Sequence, residues 1–215
     1  MRMWIKDPHA ILAEGAERGL VVEGSRIVEL VGRGGAPAAP VEATFDATRH
    51  VVLPGLVNTH HHFYQTLTRA HPAGFGKELV PWLVALEGVW SRMKPEHLRV
   101  AVRMALVELM VSGCTTAADH HNLFPSAIAN AIDIEVEEAR KLGLRMTVTR
   151  GSMGLSEKDG GLQPDSIVQD SDTILADSER LIARYHQTGP DALVQVALAP
   201  CSPFSVTTSL MRASA

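Results

Sequence analysis

The stretch KPEHLRVAVRMALVELMVSGCTTAADHHN, Lys94–Asn122, decides the architecture, because one kind of element ends and another begins inside it. Pro95 stands where a first helical turn tolerates proline, apolar residues follow at helical spacing, and Gly113 supplies the stop. CTTAAD then reads as a strand running into the polar cluster Asp119–Asn122. Working outward, the alternation recurs. GLVNT, Gly55–Thr59, predicts an earlier short strand; FPSAIANAIDIEVEEARKLG predicts a helix from near Pro125 to Gly143, and LRMTVTR a strand. SIVQDSDTILADSERLIARYHQTG predicts a further helix, ALVQVALAP a strand, and SVTTSLMRASA the start of another helix. Such alternation specifies a parallel sheet wrapped by helices.

Two architectures share that pattern. A doubly wound sheet predicts a glycine-rich phosphate turn after its first strand, and NTHHHF, Asn58–Phe63, stands there instead. A (βα)8 barrel places functional residues at the C-terminal ends of its strands, which is where THHH, DHHN, RGSM and PCSPF fall. The barrel is therefore the preferred reading. A complete barrel takes about 250 residues, whereas about four βα units are counted here. The expectation is an α/β fold in which residues 55–215 form the N-terminal half of a (βα)8 TIM-type barrel that continues beyond the given chain. Residues 1–54 differ in texture. Short β runs broken by glycine, as in GLVVEGSRIVELVGRGG, Gly19–Gly35, predict hairpins of a small unit that needs another surface to lean on.

Composition narrows the function classes. A 46% hydrophobic content gives ample core material, and a net charge of -4 with no Lys/Arg block argues against nucleic acid or a polybasic membrane surface. Cys114 and Cys201 follow no paired spacing, which argues against a disulfide framework or a thiolate zinc site. No stretch approaches the roughly 18 apolar residues of a membrane span. A cytoplasmic location is expected.

The run VNTHHHFYQ, Val57–Gln65, carries the strongest chemical signal. On an extended segment residues two apart share a face, so at a strand end His60 and His62 aim one way and His61 the other. Two imidazoles there suit a catalytic metal, which takes three protein ligands and leaves a position for water. A surface histidine cluster is the competing reading. In ADHHN, Asp119 and His120 read equally well as a carboxylate orienting an imidazole or as a strand-to-helix turn. Gln65, three residues beyond His62, can both donate and accept at a heterocycle edge. Cys201 lacks an adjacent base for nucleophilic work, and Arg150 reads as an anchor for the glycine-rich loop after it. Two-metal barrels often bridge their ions with a lysine carboxylate from the fourth strand; no lysine follows Lys158, so one ion is expected.

PGLVNTHHHFYQTLTRAHPA, SGCTTAADHHNLFP, RGSMG, RLIARYHQ and APCSPFSVTTSLMR together resemble the amidohydrolase superfamily, in its branch of purine and triazine deaminases, over nearly the whole chain. The resemblance implies a metallo-dependent hydrolase barrel carrying a small β-sandwich, of which residues 1–54 are a part. It implies that His60 and His62 are metal ligands, that one divalent ion is bound, zinc first and iron second, and that Gln65 touches the substrate. The implied reaction is hydrolytic release of ammonia from an aminated purine, 8-oxoguanine to urate, with guanine or a hydroxyatrazine-type triazine as alternatives. Guanine deaminases carry an arginine after the proline of the fourth strand, and Cys201 stands there. The general acid/base and remaining ligands are expected beyond Ala215. The expected partner is a small purine or triazine, with a homodimer as the assembly. The non-enzymatic alternative is an incomplete metal-binding fragment, since half a barrel leaves two open sheet edges.

Overall fold

In the computed structural model, which describes residues 1–215, the chain divides into two units, Met1–Gly55 and Leu56–Ala215. The first contains β1 (Arg2–Lys6), β2 (Ala10–Ile11), β3 (Gly19–Glu23), β4 (Arg26–Leu30), β5 (Ala43–Asp46) and β6 (Val51–Val52). A four-stranded sheet runs β4-β3-β1-β5, antiparallel except for the parallel pairing of β1 with β5, and β2 and β6 form a parallel pair. Its core is Trp4, Val21 and Val31, with the Trp4 indole N–H donating to the Arg18 carbonyl at 3.1 Å. The hairpin expected from the glycine spacing is β3–β4. Gly19 is required there, since it sits at φ +101° and a Cβ would run into the Ile5 carbonyl.

The second unit contains β7 (Leu56–Asn58), α1 (Leu79–Trp90), α2 (Pro95–Val111), β8 (Cys114–His121), α3 (Ala131–Leu142), β9 (Arg145–Ser152), α4 (Ser171–Tyr185), β10 (Val194–Pro200) and α5 (Thr208–Ala213). The strands lie in the order β7-β8-β9-β10, every pair parallel. Each strand neighbours its successor and the order never reverses. That is the progression of a (βα)8-type barrel rather than of a doubly wound sheet with a switch point. Leu98, Val102, Ala105 and Leu106 line the inner stripe of α2, and Ile132, Val136 and Ala139 that of α3; all are buried in one core with Met146 and Val148 of β9. Each fully buried aliphatic chain contributes about 1.5–3 kcal/mol. No helix is long and apolar enough to cross a membrane.

Three boundaries differ from the sequence reading. The helix expected from Pro125 begins at Ala131, because Ser126–Ile128 forms a short 3-10 turn first. The helix expected from Ser166 begins at Ser171, where the Asp170 carboxylate accepts the Thr173 N–H at 2.8 Å and sets the start. The strand CTTAAD continues through His121, paired with β9, so Asp119–His121 is strand rather than helix cap. Helix α1 was not expected at all; Pro81 and Gly88 disguise its period.

Gly151 of β9 lies where strand ends converge. A Cβ there would overlap the Asn122 side chain and come within 2.6 Å of the His121 carbonyl oxygen. Gly151→Ala is expected to cost about 1–3 kcal/mol by overpacking, read as a lower urea midpoint.

Candidate active site

Strand β7 stops at Asn58, so the histidine run lies just past the strand rather than on it. Its alternation is enforced instead by the end of β8. The His120 N–H donates to the His61 carbonyl at 2.8 Å, and the His62 Nδ1–H donates to the His120 carbonyl at 2.6 Å. The His60 and His62 rings consequently meet at 5.0 Å between centroids, edge to face. His120 joins them, 4.4 Å from His60 and 6.0 Å from His62. The His61 ring is placed against Phe63, at 4.8 Å.

The donor chemistry fits a metal. A carbonyl oxygen only accepts, so His62 is the Nδ1–H tautomer and its Nε2 lone pair is free. Burial holds the His62 imidazole below its ordinary pKa and therefore neutral, the form a ligand must have.

A second polar group lies behind this loop. Asp119, His121 and Glu135 are fully buried, with ligand-type atoms within 4.8 Å of one another. The Phe63 N–H donates to Asp119 Oδ1 at 2.6 Å, which ties this group to the residue after His62. The His121 Nε2–H donates to the Leu123 carbonyl at 2.6 Å, leaving Nδ1 to face Glu135 Oε1 at 2.7 Å. Two ligands of one zinc ion, with bonds of about 2.0–2.1 Å, stand about 3.3 Å apart at a tetrahedral angle. At 2.7 Å the two atoms are closer than two ligands of one ion would be. Burial raises Glu135 to about 8 and Asp119 well above its usual range, the latter also by the charge of Glu135. Burial likewise lowers His121, so it favours the neutral form of all three groups.

Beside the histidines lies a cavity of about 310 Å³, lined by His62 and Gln65, by Trp82, Glu87 and Trp90 of α1, and by Cys201 after β10. The Gln65 amide donates to the Tyr64 hydroxyl at 3.2 Å. Cys201 is an exposed free cysteine at the edge of this lining. Arg150 is fully sealed behind this end of the sheet, donating to Gln169 Oε1 at 2.6 Å and to Asp177 at 3.2 Å. Gln169 and Asp177 frame the segment that follows β9, the anchoring expected of Arg150.

The family model for amidohydrolases matches residues 51–215. The chain belongs to the amidohydrolase family. It is 62% identical over 217 residues to 8-oxoguanine deaminase of Pseudomonas aeruginosa, covering 100% of this chain and 48% of that protein. It is 36% identical to isoxanthopterin deaminase of an unknown prokaryotic organism, covering 98% of this chain and 46% of the relative. Among solved structures, the atrazine chlorohydrolase of Arthrobacter aurescens TC1 complexed with zinc superposes with a TM-score of 0.87 at 29% identity, over 99% of this chain and 49% of that one. The chain thus spans about half the length of the relatives it matches.

Within this amidohydrolase, the structure gathers His60, His62 and Gln65 around one end of the sheet and adds His120, which the sequence singled out without assigning it. Glu135 and Glu87 went unnoticed. Glu135 hides among the acidic residues of EVEE, yet it falls on the stripe Ile128, Ile132, Glu135, Ala139, whose other members are fully or almost fully buried. That core position was the available signal.

Proposed function

We propose that the protein carrying this chain is a metal-dependent hydrolase that releases ammonia from an aminated purine, converting 8-oxoguanine and water to urate and ammonia. The observation that carries the reading is the single cavity shared by His62 and Gln65, at the small end of ligand-pocket sizes and walled by Trp82 and Trp90. Its support from similarity is the identity to an 8-oxoguanine deaminase over the full chain.

In this reading His60 and His62 hold one divalent ion, zinc before iron. When bound, the ion supplies an activated water at neutral pH. The His120 carbonyl orients the His62 ring toward it. Gln65 donates to and accepts from the alternating N–H and C=O groups of the ring edge, while the tryptophans flank the flat ring and exclude water. Residues 1–54 as part of a β-sandwich, residues 55–215 as the first half of the barrel, a homodimeric assembly and a cytoplasmic location belong to the same proposal. A triazine substrate is the second reading, favoured by the likeness to a zinc-complexed atrazine chlorohydrolase.

Amine release by the full-length protein, ammonia from 8-oxoguanine or guanine and an alkylamine from hydroxyatrazine, with the three offered separately, tests both. Turnover of the triazine alone rejects the purine reading. Gln65→Leu is expected to lower kcat/KM for 8-oxoguanine about tenfold, carried mainly by KM.

A further inference from the structure

The wall of the cavity contains one carboxylate, and the fold gives it no partner. Glu87 lies on α1, is 6% exposed, and shares the lining with Leu83, Trp82 and Trp90. Its carboxylate has neither a cation partner nor an N–H donor, and the one charge acting on it, Glu157, has the same sign. Burial and that charge raise Glu87 to about 6, so it is still mostly ionised at neutral pH. Placing a carboxylate among apolar and aromatic side chains is costly unless hydrogen bonds offset the lost water. Nothing in the unit provides them, and the residue lines the cavity, where a bound ring can supply a donor.

We propose that Glu87 is a specificity-determining residue whose carboxylate accepts a hydrogen bond from a ring N–H of the substrate. This rests on the purine reading above and deepens it. A site built around an unpaired acceptor favours rings that present N–H groups and rejects those presenting a lone pair or a methyl in the same place, because the carboxylate is then buried without a partner. An oxidised purine suits it, since oxidation at the five-membered ring gives both of that ring's nitrogens a hydrogen. Gln65 and Cys201 line the same cavity and leave Glu87 as its only carboxylate.

The test compares the full-length metal-loaded protein with its Glu87→Leu variant, which keeps the bulk and removes the acceptor. Thermal unfolding is followed alongside calorimetric binding of urate, the non-reacting product, and its monomethyl derivatives. The expected result has two parts: Glu87→Leu unfolds at a higher temperature than wild type, and it binds urate at least tenfold more weakly. One N-methylated urate binds wild type at least tenfold worse than urate does, and that difference vanishes in Glu87→Leu. A variant that unfolds at a lower temperature would show a carboxylate satisfied inside the fold and overturn the proposal. Unchanged urate affinity, or a methylation penalty that persists in the variant, overturns it while leaving the purine reading standing. If wild type binds no urate at all, the purine reading falls and takes the proposal with it.

Discussion

Alanine at His60 or at His62 is expected to strip the full-length protein of its metal and to lower kcat/KM at least about a thousandfold, a loss of about 4 kcal/mol of transition-state stabilisation. Alanine at His61 is expected to leave metal content unchanged and to alter kcat/KM by less than about threefold. The contrast comes from the two hydrogen bonds that join the loop to β8, one from the His120 N–H and one from the His62 ring. They turn the rings of His60 and His62 toward each other, 5.0 Å apart, and send His61 against Phe63. His61 is half-buried, and its Nδ1 makes no hydrogen bond, so its removal costs packing and little else. Metal analysis of the purified variants, set beside their kinetics, checks the assignment. Equal loss from all three positions would mean that the run binds as a flexible cluster.

Glu135→Gln is expected to flatten the pH dependence of stability between about pH 4.5 and 8. The folded-state pKa of Glu135 is raised from the ordinary 4.5 to about 8. Between those values the folded protein holds a proton that the unfolded chain has released, so stability falls as pH rises through the window and levels off above it. At roughly 1.4 kcal/mol per pH unit the decline amounts to a few kcal/mol. A glutamine never ionises, so the variant keeps most of the low-pH stability at pH 8. Urea midpoints measured at pH 5 and pH 8 for both proteins decide it. A parallel decline in both would place the sensitivity elsewhere. Asp119, raised in the same way, supplies whatever residual slope the variant shows.

Much of the fold was legible because its signals are local and periodic. Pro95 and Gly113 bracket α2, and Gly143, at φ +74°, ends α3. The sheet order follows from strands alternating with helices. What escaped depends on contacts distant in sequence. The end of β8 was misplaced because His120 and His121 have low strand propensity, and their extended form is imposed by pairing with Thr149 and Arg150. Helix α1 was missed because it is apolar nearly all round, so no stripe stands out. For the site, residue spacing picked out His60, His62 and Gln65. The buried group of Asp119, His121 and Glu135 was invisible, since its members meet only when α3 folds back against the sheet.

The bond that fixes the His62 ring ends on a main-chain oxygen. Every amino acid carries that oxygen, so the tautomer of His62 does not depend on which side chain stands at position 120. A restraint of this kind is inherited with the path of the strand. A substitution at 120 that keeps the strand therefore removes one ring from the cluster and leaves the orientation of the His62 imidazole in place.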